Sequence, residues 1–211
     1  MAKYHSPTRE RQAEETRKRM VGAAREIFLA KGYDGTTIEA IAAGAGVAPQ
    51  TVYAAFQSKA GILVAILRGT VFGPRYQELV RQAMATADPV LRLPFAAKIA
   101  RQIYDAFRAE WCLLQGAGIV TPELQALERQ GEHARYEAQA PMIAYLAEQG
   151  RLRPGLDVTA AREILWAFTS RDFYRMLVVE RGWSADRYEQ WLGEVLVSTL
   201  LAPSPASPTS S

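Results

Sequence analysis

Gln50, Thr51 and Tyr53 set an amide, a hydroxyl with its methyl, and a phenol side by side in one short stretch. An amide can give and take a hydrogen bond at once on the N6/N7 edge of adenine, and threonine can join it there. A phenol can reach a phosphate oxygen. Just beyond, Ser58 and Lys59 combine an N-capping hydroxyl with a cation, a pairing suited to phosphate at a helix start. All of this is recognition chemistry. No nucleophile elbow, phosphate-cradling glycine loop or acid pair accompanies it.

Those groups need a frame, and residues 36–56 predict one. Thr36 with Glu39 reads as a capping box opening a helix whose buried stripe is Ile38, Ile41 and Ala42. Gly46 can take the left-handed conformation that turns the chain, and Val47 plugs the angle. Pro49 fits the first turn of the next helix, where its missing N–H costs nothing. Val52 and Phe56 then face inward, leaving Pro49, Gln50, Thr51, Tyr53 and Ala54 outside. Two short helices so joined suit duplex DNA, because the second can enter the major groove. The alternative is a helical hairpin in a plain core, with Tyr53 a rim aromatic and Lys59 a solvated charge.

The wider chain is expected to be all-α, with an N-terminal three-helix helix-turn-helix domain and a larger helical ligand-binding and dimerisation bundle. The 211 residues show no sustained two-residue alternation, and apolar residues recur at helical spacing. Helices are expected over 9–31, 59–85, 90–109, 122–149, 158–181 and 185–201. The breakers between them are Asp88-Pro89, Thr121-Pro122, Gly150, Pro154-Gly155 and Gly182. Residues 1–68 hold ten Lys/Arg against six Asp/Glu, and the remainder fifteen against sixteen, so the basic charge sits in the first third. No apolar run is long enough for a membrane span. The single cysteine, Cys112, fits a reducing cytoplasm, and neither His5 nor His133 has a second ligand at metal spacing. No cofactor, metal or membrane partner is expected.

In the later helices, most aromatics at core spacing are core. The sharper expectation is a cavity for a small, largely apolar ligand, walled by Phe107, Trp111, Trp166 and Phe173 with Arg108 or Arg171 as polar partners. The last two helices are apolar over a wide arc, through Ile164 and Phe168 on one and Trp191, Leu192, Val195 and Leu196 on the other. Such an arc needs two neighbours, which a two-fold mate supplies as a four-helix bundle. Burial of the pair within one chain is the alternative.

The run Ala23-Ala24, Phe28, Gly32-Tyr33, Thr36-Thr37, Ile41-Ala42, Ala45-Gly46-Val47, Thr51-Val52-Tyr53, Phe56 and Ser58-Lys59 resembles the DNA-binding domain of the TetR/AcrR family. Tyr174 to Leu177, Arg181 to Ser184, Arg187-Tyr188 and Trp191-Leu192 resemble the C-terminal end of many members. The resemblance implies a homodimer on a palindromic double-stranded operator, with phosphate contacts from Thr37, Tyr53 and Lys59 and base contacts from Gln50 and Thr51. It also implies a small-molecule effector and, for most of the family, repression; the helix expected from Lys59, which joins the head to the body, is the natural lever. Ala55 departs from the family's frequent aromatic or His, and Ala48-Pro49 from its common N-cap, so base preference does not transfer. The resulting organisation is a flexible arm at 1–14, the DNA-binding domain at 15–66, the ligand and dimerisation domain at 67–201, and a disordered tail at 202–211.

Overall fold

The computed structural model describes residues 7–113 and 122–203; the side chains of 7–9, 111–113, 122–124, 127 and 128 are not described. Among the described residues everything regular is helical, apart from one isolated bridge between Leu152 and Leu201. The chain divides into two compact units. The first comprises residues 1–71 and 106–128, the second 72–105 and 129–211.

The first unit is built on α1 (Pro7–Lys31), α2 (Ile38–Ala45), α3 (Pro49–Phe56) and α4 (Lys59–Val71). Met20, Ala24 and Phe28 recur one turn apart on α1 and meet Ile41, Val52, Ile62 and Leu63 in a single core. Helix starts well inside the expected arm, at Pro7. The helix expected over 59–85 is two, because Gly73 adopts an extended conformation and Pro74 opens α5 (Pro74–Ala85). The lever expected to run on from Lys59 therefore ends at Val71, inside the first unit.

In the second unit α5 is followed by a single turn, α6 (Pro89–Arg92), capped by Asp88. Next come α7 (Phe95–Leu113) and α8 (Pro122–Glu148), each shared between the two units by residue, then α9 (Val158–Phe168). The helix expected over 158–181 breaks at Thr169 and Ser170. It resumes as a short α10 (Arg171–Tyr174) and a wider π turn over Arg175–Glu180. The chain returns as α11 (Ala185–Leu200). The core holds Leu93, Tyr104, Leu146, Leu165, Tyr188 and Leu192. No described helix is long and apolar enough to cross a membrane.

Candidate nucleic-acid interface

The frame of the head lies one residue away from the expected capping box. Thr37, not Thr36, is the N-cap of α2, and its hydroxyl accepts the Ala40 N–H at 3.2 Å. Thr36 is buried and donates instead to the Gly32 carbonyl at 2.7 Å. The shift makes Glu39 the second helical residue, too early to bond back to the cap. Gly46 closes α2 at φ 65°, and its N–H and that of Val47 bond the Ala43 and Ala42 carbonyls. Pro49 opens α3, as its missing N–H requires.

On α3, Val52 and Phe56 are buried while Gln50, Thr51, Tyr53 and Ala54 are exposed, Tyr53 to 50%. Pro49 is half-buried and Thr37 exposed beside this face. The outer face of α3 thus carries the short polar Gln50 and Thr51, the methyl of Ala54, and a single large side chain at Tyr53.

Lys59 has a second occupation. Its ammonium donates to the Tyr33 carbonyl at 2.5 Å and the Thr36 carbonyl at 3.1 Å, and lies 4.2 Å from the Tyr33 ring centroid. Lys59 therefore ties the start of α4 to the loop between α1 and α2. Of its three donors, one remains for a phosphate. Ser58 caps α4 by accepting the Gly61 N–H at 3.0 Å. Gly61 is there because a Cβ would lie 2.0 Å from the Phe56 carbonyl oxygen. Gln57, between the helices, is held at φ 66°, a left-handed conformation uncommon outside glycine.

Two further arginines set the angle of the motif. Arg17 donates to the Ala55 carbonyl at 3.0 Å and lies 4.3 Å from the centroid of Phe56, and Arg19 donates to the Ala45 carbonyl at 3.3 Å. Both cations sit at helix C-termini, where carbonyls concentrate negative charge. Their signal in the sequence is only a basic run on α1, with nothing to say which helix ends it meets.

The residues expected to wall a ligand cavity are divided between the two units. Phe107 packs against the core of the head, and Arg108, in the same unit, is exposed. The side chain of Trp111 lies outside the described residues. Phe173 stacks on Phe168 at 5.3 Å in the second unit, Trp166 is 36% exposed with Arg135 over its ring, and Arg171 is exposed. Two cavities open in that unit, of about 420 and 310 Å³, and they share Lys98, Arg101 and Glu189. Among the described side chains, Phe107, Arg108, Trp166, Arg171 and Phe173 do not line either. Arg101 is partly desolvated there, and bonds to Glu189, Asp186 and Asp105 raise its pKa despite that.

A polar hub missed by periodicity occupies the interior instead. The Thr169 hydroxyl accepts from Arg135 and Gln139 at 2.8 Å each, and its carbonyl accepts the Tyr104 hydroxyl at 2.8 Å. Burial pushes the Tyr104 phenol up to about 12.

The expected dimer face is divided by burial. Ile164, Phe168, Trp191 and Val195 are half-buried, whereas Leu192 and Leu196 are fully buried in the protomer's own core. The latter two are corrected to core, since α11 turns their side toward Tyr188 and Leu165 rather than solvent.

Residues 21–66 match the family model described as bacterial regulatory proteins, tetR family. The HTH-type transcriptional regulator UidR of Escherichia coli (strain K12) is 24% identical over 164 residues, covering 75% of this chain and 80% of that protein. The crystal structure of NalD, the secondary repressor of the MexAB-OprM multidrug efflux pump in Pseudomonas aeruginosa, superposes with a TM-score of 0.60. It is 25% identical and covers 90% of this chain and 98% of that one. A putative transcriptional regulator from Saccharomonospora viridis, crystallised in complex with choline, shares the fold at a TM-score of 0.61 and 23% identity, covering 90% of this chain and 100% of that one.

Proposed function

We propose that this chain, which belongs to the TetR family of bacterial transcriptional regulators and is not an enzyme, binds a palindromic operator as a homodimer and releases it when a small molecule occupies its second unit. The observation that carries the reading is the exposed row Gln50, Thr51 and Tyr53 on a helix rigidly turned at Gly46. Gln50 and Thr51 read base edges, and Tyr53, Thr37 and the remaining donor of Lys59 hold phosphates. With alanines at 54 and 55 the reading face is sparse, so specificity leans on phosphate positioning and DNA shape as well as on bases.

Dimerisation follows from the half-buried apolar side chains Ile164, Phe168, Trp191 and Val195, which a second copy would cover. Two heads about 34 Å apart then match one turn of duplex. Repression by occluding a promoter is the action proposed, in the cytoplasm where the DNA lies. The effector binds one conformation of the second unit better than the other and so lowers operator affinity. The second unit's larger cavity sets charged side chains around an apolar floor of Val90, Pro94 and Val197, so an amphipathic effector fits better than a purely apolar one.

Gel-shift against fragments flanking its own gene tests the reading. One fragment is expected to be retained by a dimer, and Gln50→Ala to weaken that complex about tenfold, near the value of one bidentate base contact. Absence of specific retention with every upstream fragment would overturn it.

A further inference from the structure

Glu110 is only 3% exposed, near the end of α7. Its carboxylate is held by a fork from α1: Arg25 Nε donates to Oε1 at 2.7 Å and Nη2 to Oε2 at 3.2 Å. Such two-bond pairing fixes direction as well as distance. One turn earlier, Phe107 packs against the core of the head. The end of α7 is thus joined to the DNA-binding head twice, by an apolar contact and by an ion pair. The earlier part of the same helix supplies Ala97, Ala100 and Tyr104 to the core of the second unit.

Helix α1 is also the element that braces the reading motif. Arg17 and Arg19 hold the C-terminal carbonyls of α3 and α2, and Arg25 lies further along on the same helix. Glu110 is buried while Arg25 keeps 40% of its side chain exposed, so the carboxylate depends on a partner that reaches it from the surface.

We infer that Arg25 and Glu110 are positioning residues for operator binding: their ion pair fixes α1 on the end of α7, and α1 in turn fixes the angle of the helix-turn-helix. The inference rests on the proposed operator binding and adds the part played by two residues outside the reading helix.

The test uses the full chain, with a duplex that the wild-type protein enriches from a random-sequence library. Glu110→Gln keeps the shape and loses the charge; Arg25→Ala loses the partner; the double variant closes the cycle. Each single variant is expected to bind the enriched duplex about tenfold more weakly, a usual size for coupling between distinct sites. Low-salt binding to an unrelated duplex, which needs phosphates but no fixed angle, should hold steady. The double variant should lose no more than either single one, the mark of a shared interaction. Unchanged binding of the enriched duplex, additive losses, or equal losses on both duplexes would each overturn the inference. Hydrogen exchange over residues 20–31 and 106–113 supplies a readout that needs no DNA. Glu110→Gln should open both segments together, and unaltered protection in either would refute the clamp. If the wild-type protein enriches no sequence, the operator reading fails, and exchange alone then decides whether the pair orders α1.

Discussion

The exposed face of α3 and the half-buried face of α9 and α11 solve opposite problems. On α3 the outward groups are short, the polar Gln50 and Thr51 with the methyl of Ala54, around one phenol. On α9 and α11 they are Ile164, Phe168, Trp191 and Val195, with the Phe168–Phe173 stack and the perpendicular Trp183–Trp191 pair beside them. The first leaves its hydrogen-bonding groups open to water, which suits the contact with a charged polymer proposed for it. The second leaves apolar side chains partly exposed beside the core that Ile164, Phe168 and Trp191 pack against. The two regions are also secured differently. The head relies on caps, a left-handed turn and close backbone approach, whereas the second unit relies on large side chains meeting across long sequence separations.

That contrast can be broken at four points. Leu192 is fully buried in the second unit, so Leu192→Ala should cost about 4 kcal/mol as transfer energy and cavity combine. Hydrogen exchange should place the loss in 72–105 and 129–201, and a loss centred on the head would refute separate cores. In the head, Gly61→Ala should cost about 3 kcal/mol, because the methyl must displace the Phe56 carbonyl. Urea unfolding followed at Tyr33 and Phe56 peptides measures it, and a neutral result would mean α4 shifts freely.

Titration gives a smaller effect confined to the second unit. The Tyr104 phenol is raised from 10.0 to about 12, so its neutral form is the one the fold favours. The stabilisation is fully present below pH 10 and is lost as pH climbs through 12, up to about 2.7 kcal/mol. Tyr104→Phe should flatten that alkaline slope in a stability-against-pH series. The smallest change is Thr37→Ala, which removes the cap of α2 and should cost about 1 kcal/mol. If operator affinity falls further than stability does, the hydroxyl is also serving a phosphate.

Local features of the head were legible and the errors there are instructive. Gly46 and Pro49 each impose one backbone conformation, so their roles stand in the structure as expected. The cap moved from Thr36 to Thr37 because adjacent threonines offer the same chemistry, and only the burial of one chooses between them. The helix expected over 59–85 divides at Gly73-Pro74, because apolar periodicity continues on both sides of a proline that can only start a helix. Periodicity could not separate Trp191 from Leu192, since both lie on one apolar arc and their fates depend on what packs opposite.

By itself the sequence determined the all-α class, the turn, the start of the reading helix and the residues on its outer face. Each of these depends on backbone preference or on spacing within a few residues. Only the tertiary structure decided that Lys59 spends two donors on carbonyls of the preceding loop, that Phe107 belongs to the head, and that Arg25 meets Glu110 across 85 positions. Those pairings are long-range: a cation or carboxylate carries no mark of its partner until folding removes water from between them.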